Sequence, residues 1–419
     1  MDSSKLLHYI LAFFLWFALW GFIFFNTIYA SSTYVYIIMA ILFVSFGFLW
    51  IKKGRLSSNS CAIVWMPFLL YTTFCWFLNL KLEFITYFFS CMSIILIAGT
   101  AQIRDFVPTK ILIYGGAFAL LGIIIQIGFP SLYYAYINPL FLNTESLKYW
   151  MESEYGFAGF TYQLDTTANI LLFAEAAWLY MSSKFVKKNN RPLFWIVLFI
   201  FIIGIFLTGK RTHSAMSVLI PITVYLISRP NLSKSFMIFI ILGLIALTFG
   251  AYFVSHANEY TDSMIFNRFA NSVLELQAGE DITSNRSALG KEALRLSGSF
   301  WGIGVGEFRK HSIYGMDAHQ TYYQVLCEQG IIGFILFVFP LFFCFIKTIK
   351  KIRFYKGYCS TLKMSLFIQI YFILYSFTGN TLYSISNYFL YFFAIALLVD
   401  VCVHGKINSQ YDKKNISTL

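Results

Sequence analysis

The chain has 419 residues, of which 58% are hydrophobic and 12% charged, and it carries a formal net charge of +12. Charged residues make up about a quarter of a globular protein, so this share leaves too little polar surface for a water-soluble body of this size. A soluble multidomain enzyme is excluded. Disordered, collagen-like and disulfide-rich chains are also excluded, because the 48 Phe and 28 Tyr lie in apolar runs. The composition predicts an all-α polytopic membrane protein.

Membrane spans are predicted from runs of about 20 apolar residues, the length that crosses the hydrocarbon core of a bilayer as a helix. The sequence predicts about 12 transmembrane helices with one large loop late in the chain. The predicted spans are 7–29, 33–51, 61–79, 84–102, 111–129, 167–183, 193–209, 214–228, 236–256, 329–346, 364–382 and 384–403. The first run is too long for the core of a signal peptide and is therefore counted as a span.

The orientation follows from the placement of Lys and Arg. Most of the 31 basic residues fall in segments that share one side if the N-terminus is cytoplasmic, and both termini are then predicted to be cytoplasmic. The predicted regions are N-terminal membrane helices 1–129, an outer loop 130–166, central membrane helices 167–256, a large outer loop 257–328, C-terminal membrane helices 329–403 and a cytoplasmic tail 404–419. Function is expected in the long outer loops.

Two smaller predictions concern helices and cysteines. Within the large loop, 286–297 is predicted to be a helix with Leu289, Ala293 and Leu296 on one face. All seven cysteines lie in or beside predicted spans, and free thiols acting as small apolar residues are predicted.

Basic residues at two positions are candidates for binding an anion. Lys210 and Arg211 follow the apolar run at the outer end of the span 193–209, where positive charge is otherwise sparse. Either these side chains extend to lipid headgroups, or they bind a phosphate, for which the guanidinium fork of Arg is well suited. Arg286 begins the predicted helix of the large loop. It belongs either to a solvated face or to the same anion site.

A glycine-rich segment and a histidine follow in the chain. Gly302, Gly304 and Gly306 alternate, which predicts an irregular backbone that passes close to another element. The spacing matches neither a dinucleotide fingerprint nor a P-loop. His319 comes next, before a helix predicted to begin near Gln320. Because histidine accepts a proton near neutral pH, His319 is a candidate general base; a structural role is the alternative.

Glu328 lies shortly before Gly330 and the predicted span that follows. The acidic and histidine residues of the loop, His311, Asp317 and His319, match no common zinc spacing, and neither a metal ion nor another cofactor is predicted.

Together these motifs resemble a known family. The runs G-I-G-V-G-E-F (302–308), H-Q-T-Y-Y (319–323) and E-Q-G-I-I-G-F (328–334) resemble the signature of the bacterial O-antigen ligase and O-antigen polymerase superfamily, G-x-G-x-x-x-F, H-N-x-Y/L and E-x-G-x-x-G. Upstream, L-T-G-K-R (207–211) resembles the family's T-x-x-R, and 156–171 resembles its G-x-F…N-x-x-A segment. Gln320 departs from the usual Asn, which affects the registration of that turn; its amide can still orient a neighbour.

The resemblance implies a glycosyltransferase embedded in the bacterial inner membrane, with its active site facing the periplasm. The donor would be an undecaprenyl-diphosphate-linked glycan and the acceptor a glycolipid, with no nucleotide sugar, metal ion or nucleic acid. It implies that Arg211 and Arg286, with Lys210, bind the diphosphate, that His319 is the general base, and that transfer inverts the anomeric configuration. Gln320, Glu328, Gly304 and Gly306 would support the site. The two arginines and the histidine are expected to converge at the outer leaflet.

The activity within the family is left open between two reactions. A polymerase is favoured over a ligase, because the basic residues of the large loop are balanced by at least as many acids and form no evident site for a phosphorylated lipid A–core acceptor. A polysaccharide transporter or lipid-linked oligosaccharide flippase is the alternative from another class; such proteins usually show internal repeats, which are not evident here. A chain-length regulator is a partner that the family resemblance alone implies.

Overall fold

The computed structural model describes residues 60–77, 110–140, 156–161, 163–181, 191–228, 237, 248, 250–263, 266–279, 286–354, 359–382, 387–388 and 390–402. These residues form helices and turns, without a strand among them, so the all-α prediction is confirmed for this part of the chain. The predicted spans 7–29, 33–51 and 84–102, the tail 404–419 and Cys91 lie outside the described residues. The number of spans and the topology stay predictions.

The principal helices are labelled in chain order. They are α1 (Ser60–Phe77), α2 (Lys110–Gly128), α3 (Leu164–Met181), α4 (Arg191–Leu207), α5 (Arg211–Ile227), α6 (Asn267–Gln277), α7 (Arg286–Leu296), α8 (Thr321–Phe354), α9 (Cys359–Tyr375) and α10 (Leu390–Cys402). Shorter elements are a turn of helix at Pro130–Leu132, a π-helix at Tyr133–Ile137, 3₁₀ helices at Asn138–Leu140 and Ala257–Tyr260, and a turn of helix at Phe308–His311.

Two of the described helices, Lys110–Gly128 and Thr321–Arg353, are long and apolar enough to cross a membrane, and shorter apolar helices lie in α1, α4, α9 and α10. One face of α8 is apolar and also exposed, since Ile331, Ile335, Phe339, Phe342 and Ile346 are each at least 45% exposed. Residues at this spacing share a helix face. A large exposed apolar stripe is unfavourable in water and expected in lipid.

The described residues form two compact units. The central unit consists of the described residues from 110 to 279. Its helices pack through small residues: a side chain on Gly116 would collide with Ala174 of α3, and one on Gly204 would collide with Leu120 of α2. Small residues allow helix backbones to approach closely, which is the usual basis of helix association in membranes.

The C-terminal unit consists of α1 and the described residues from 286 onward. Its core is aromatic, and the ring of Trp65 lies 5.6 Å from that of Tyr391 and 4.9 Å from that of Phe392. Helix α1 is also joined to α8 by hydrogen bonds, because Tyr71 Oη donates to the Gln329 carbonyl at 3.0 Å and Thr72 Oγ1 donates to Gln329 Oε1 at 2.9 Å.

The predicted span 329–346 lies within a longer helix of this unit, and another helix ends earlier than predicted. Helix α8 begins at Thr321, next to the helix start predicted near Gln320, and continues through a kink at Gly330. Helix α9 ends at Tyr375, whereas a span was predicted to residue 382; residues 376–382 form turns. In both places polar groups make tertiary hydrogen bonds that hydropathy does not detect. The six described cysteines are thiols outside any disulfide, as predicted.

Candidate active site

The kink in α8 is joined to the glycine-rich segment by backbone hydrogen bonds. Gly330 has φ 67° and ψ −170°, which is not helical. Such a break in a helix leaves carbonyls of the preceding turn without their usual donors. Here the amide of Ile303 donates to the Cys327 carbonyl at 3.0 Å, and that of Gly304 donates to the Glu328 carbonyl at 2.9 Å. Residues 302–304 thus complete the hydrogen bonding of the kinked helix.

The same contact explains two of the glycines. A Cβ on Gly302 would collide with the Glu328 carbonyl, and a Cβ on Gly330 would collide with the Phe300 carbonyl. Gly302, Gly304 and Gly306 all have positive φ, of 80°, 108° and 75°. The predicted irregular backbone in close approach to another element is confirmed. The first and third signature motifs are therefore the two sides of one backbone contact.

Glu328 supports this contact from within the protein core. Its side chain is fully buried, and its Oε1 accepts hydrogen bonds from the Phe308 amide at 3.3 Å and from Gln324 Nε2 at 3.1 Å. Phe308, the last residue of the first motif, is itself fully buried and packs in a cluster with Leu289 and Ala293 of α7. Glu328 therefore links the two motifs through a side chain as well as through its carbonyl.

Glu328→Ala is expected to destabilise the protein by about 1–3 kcal/mol, because the buried Phe308 amide would lose its acceptor. Glu328→Gln keeps an acceptor oxygen at the same position and is expected to cost less. Thermal unfolding of the purified variants, followed by size-exclusion chromatography, measures the difference. Equal unfolding temperatures for Glu328→Ala and the wild type would contradict this role.

His319 stands on the connection between the glycine segment and α8. Among the described residues it is the one non-glycine residue with positive φ, at 52°. Its neighbour Ala318 is fully buried in the same cluster as Phe308, whereas His319 itself is half-buried. Non-glycine residues in this left-handed region are uncommon and often occur at functional sites. The helix after His319 begins at Thr321, as predicted.

Arg286 is the first residue of α7, where the sequence places it. Its Nη1 donates to the Thr378 carbonyl at 2.7 Å, in the turn after α9. Helix α7 also lies against the start of α8, since a Cβ on Gly290 would be 3.1 Å from Gln320 Oε1 and 3.3 Å from the Tyr323 ring. Arg286, Gln320 and the start of α8 are thus brought together within the C-terminal unit. The predicted helix with Leu289 and Ala293 on its buried face is confirmed.

The far end of α7 holds the loop that carries the signature. Glu292 accepts two hydrogen bonds from the guanidinium of Arg295, both at 2.7 Å, and a third from the Ile313 amide at 3.3 Å. Hydrogen bonding to Arg295 lowers the pKa of the Glu292 carboxyl. The contribution of Glu292 to stability is therefore present above the ordinary carboxyl pKa and is lost as pH falls through the lowered value.

Lys210 and Arg211 lie in the central unit, where Lys210 directly precedes α5 and Arg211 is its first residue. Lys210 Nζ forms a salt bridge of 2.9 Å with Asp165 Oδ2. Arg211 donates through Nη1 to Ser272 Oγ of α6. Arg268, one turn before Ser272, donates through Nη1 to the Gly209 carbonyl at 3.0 Å. Helix α6 thus brings a third cation to the Lys210–Arg211 turn.

The two upstream motifs also contact each other within the central unit. The Phe157 amide donates to the Leu207 carbonyl at 3.0 Å, and a Cβ on Gly156 would collide with the carbonyl of Thr208. Asn169 Oδ1 lies 2.9 Å from His213 Nε2, and both side chains are buried. The segment 156–171 therefore positions the turn that carries Lys210 and Arg211. Convergence of Arg211 with Arg286 and His319 stays a prediction.

Two contributors to these sites were not predicted from the sequence. Arg268 and Ser272 are four residues apart on a short amphipathic helix, a pattern that was visible but not distinctive. The turn after α9 was assigned to a membrane span. Its sequence, S-F-T-G-N-T (376–381), contains the Gly-Asn pair and hydroxyl residues that are typical of turns, and these could have indicated the end of the helix.

Comparison with known proteins supports the predicted family. Residues 196–338 match the family model described as O-antigen ligase. The matched region contains four of the five predicted motifs, namely 207–211, 302–308, 319–323 and 328–334, together with Arg286. No curated protein matches the chain. The match and the apolar helices indicate a membrane protein. The predicted resemblance to the O-antigen ligase and O-antigen polymerase superfamily is confirmed over residues 196–338.

Proposed function

We propose that this protein is an O-antigen polymerase of the bacterial inner membrane. It transfers glycan from an undecaprenyl-diphosphate-linked donor to a sugar hydroxyl of a lipid-linked repeat unit, at an active site that faces the periplasm. The observation that carries the proposal is the positive-φ histidine, His319, held between a glycine segment and a kinked helix that both lie largely within the region matching the family model. Backbone strain at a titratable residue is typical of functional sites.

The side chains have separable roles in this reaction. His319 accepts the proton of the acceptor hydroxyl while that oxygen attacks the anomeric carbon. The bond from the anomeric carbon to the diphosphate oxygen breaks, and undecaprenyl diphosphate leaves with the electron pair. Arg211, Arg286 and Lys210 bind the diphosphate, whose developing charge these cations stabilise without a metal ion. A single displacement of this kind inverts the anomeric configuration.

A polymerase is favoured over a ligase by the charge balance of the large loop, whose basic residues are matched by at least as many acids. Two of these acids pair with basic side chains of the same loop, since Arg295 pairs with Glu292 and Lys310 pairs with Glu307 at 3.5 Å. This balance leaves little net positive charge in the loop for a phosphorylated lipid A–core acceptor. The ligase is the second candidate, since the matching family model carries that description.

The surface polysaccharide of a strain that lacks this protein separates the candidates. Loss of a polymerase leaves a single repeat unit on the lipid A–core, which is the expected result. Bare core with accumulated lipid-linked polymer would instead indicate a ligase. Bare core without lipid-linked polymer, and with unpolymerised repeat units retained in the cytoplasmic leaflet, would indicate a flippase.

Replacement of Arg211 tests the binding of the diphosphate. Arg211→Ala is expected to abolish polymer formation, and Arg211→Lys to retain part of it, because Lys keeps the charge but not the fork of donors. The matched control is Arg309→Ala, an exposed arginine of the large loop. Polymer length on gels and the KM for the lipid-linked donor are the measurements. Wild-type values for Arg211→Ala would remove Arg211 from the proposed site.

A further inference from the structure

We propose that the turn 376–381, here called the hydroxyl turn, is a positioning element for glycan transfer, and that Thr321 is the residue through which it positions His319. The inference rests on the proposed function of His319 and Arg286. It concerns residues beyond the matched region 196–338, except Thr321 itself, which occupies the variable position of the H-N-x-Y motif. No role for this turn is predicted from the sequence, because the predicted membrane span 364–382 includes it.

The hydroxyl turn binds the first residue of α8 through its backbone carbonyls. The Thr321 amide donates to the carbonyls of Ser376 at 2.9 Å and Gly379 at 3.2 Å. Thr321 Oγ1 donates to the same Gly379 carbonyl at 2.8 Å. In return, the Thr381 amide donates to Thr321 Oγ1 at 2.8 Å. The start of α8 is therefore held by both its backbone and its side chain.

Three buried hydroxyls complete the contact. Thr381 Oγ1 lies 3.0 Å from Thr321 Oγ1 and 2.6 Å from Ser376 Oγ, and Ser376 Oγ donates to the Phe372 carbonyl at 2.7 Å. All three hydroxyl residues are fully buried. Buried polar networks in which each member has a partner make a local structure rigid and specify one arrangement. The network thus fixes where α8 begins.

His319 precedes this fixed point by two residues, and its φ of 52° lies in the left-handed region. A strained conformation of this kind persists only where the surroundings over-determine it. On one side, Ala318 is buried in the cluster with Phe308; on the other, Thr321 is bound by the hydroxyl turn. Both flanks of His319 are thereby held, which fixes the direction in which its imidazole is presented.

The hydroxyl turn also holds the second group of the proposed reaction. Arg286 Nη1 donates to the carbonyl of Thr378, in the middle of the turn. A guanidinium has five donors, so a bond to one carbonyl orients Arg286 and leaves donors for an anion. One turn therefore positions both the proposed base and a cation proposed to bind the diphosphate. Because a shift of about 1 Å in a reacting group can lower a rate about 10²-fold, loss of this positioning is expected to affect turnover.

The test compares Thr321→Val with Thr321→Ser in the full-length protein, with a purified lipid-linked repeat unit as donor and acceptor. Val keeps the shape of Thr but lacks the hydroxyl, whereas Ser keeps the hydroxyl. Thr321→Val is expected to lower kcat about 10- to 100-fold with little change in the KM for donor, and Thr321→Ser to stay within about threefold of wild type. Thr348→Val is the matched control: Thr348 is also fully buried on α8, donates to the Cys344 carbonyl at 2.8 Å and accepts a hydrogen bond from Gln369. It is expected to lower thermal stability but not kcat.

Wild-type kcat for folded Thr321→Val would overturn the inference, as would an equal loss of kcat in Thr348→Val. If Thr321→Val does not fold, Ser376→Ala replaces it; a loss of kcat of about threefold or more supports the inference, and an unchanged kcat overturns it. His319→Asn, measured in parallel, separates the role of His319 as a base from the positioning role of the hydroxyl turn. Activity in His319→Asn would refute the proposed function, whereas an inactive His319→Asn beside an active Thr321→Val would refute the positioning role alone.

Discussion

His319→Asn is expected to lower the rate of glycan transfer by about 10²- to 10⁴-fold while leaving the amount of folded protein unchanged. Asn is chosen because it tolerates the left-handed backbone conformation that His319 adopts, at φ 52°. The variant therefore removes the proton acceptor without adding backbone strain. Alanine at the same position would confound the two effects. Polymer formation by membranes containing equal amounts of each variant is the measurement.

The matched control for this experiment is His311→Asn. His311 lies in the same loop, is exposed, and has its Nδ1 3.0 Å from the Glu307 carbonyl. It is expected to retain wild-type activity. If His319→Asn polymerises glycan at the wild-type rate, His319 is not the base, and the transferase mechanism proposed here is wrong. If both variants lose activity equally, the loop requires histidine for a structural reason.

Gly302→Ala is expected to prevent stable folding of the C-terminal unit, with a loss of more than about 3 kcal/mol. The new alanine would have to adopt φ 80°, and its Cβ would collide with the Glu328 carbonyl at the kink of α8. Neither this Cβ nor the Glu328 carbonyl is at the end of a flexible side chain, so the collision has to be relieved by a shift of the backbone. The hydrogen bonds from Ile303 and Gly304 to α8 would then be lost as well.

Gly315→Ala separates conformational strain from collision. Gly315 also has positive φ, at 60°, but a Cβ there would meet no heavy atom within 4 Å. Its cost is therefore expected to be about 1–2 kcal/mol, the strain of the left-handed conformation alone. Thermal unfolding of both variants in detergent provides the comparison. Equal unfolding temperatures would show that the close approach of residue 302 to α8 contributes nothing to stability.

Local patterns in the sequence were sufficient to predict several features of the C-terminal unit. The helix at Arg286–Leu296 follows from the periodicity of Leu289 and Ala293, because apolar residues at this spacing share one face. The irregular backbone around Gly302 and the helix start near Gln320 follow in the same way from glycine spacing and from the motif. The residues that indicate each of these features lie close together in the chain.

Features that depend on distant residues were missed. The end of α9 at Tyr375 was not predicted, because a window of hydropathy averages the buried hydroxyls of 376–381 with their apolar neighbours. The cation at Arg268 was not selected either, since its contact with the Gly209 carbonyl joins residues 59 positions apart. The pairing of Lys210 with Asp165 likewise depends on packing between α3 and the turn before α5.

The amino-acid sequence alone was sufficient to predict a membrane environment, a helical class and a family resemblance, because composition, apolar run length and short motifs are properties of neighbouring residues. Only the tertiary structure decided what the motifs do to one another: the glycine segment completes the hydrogen bonds of a kinked helix, and the hydroxyl turn binds both Thr321 and Arg286. The physical reason is that a buried donor or acceptor must find a partner somewhere in the fold, and that partner can lie at any distance along the chain.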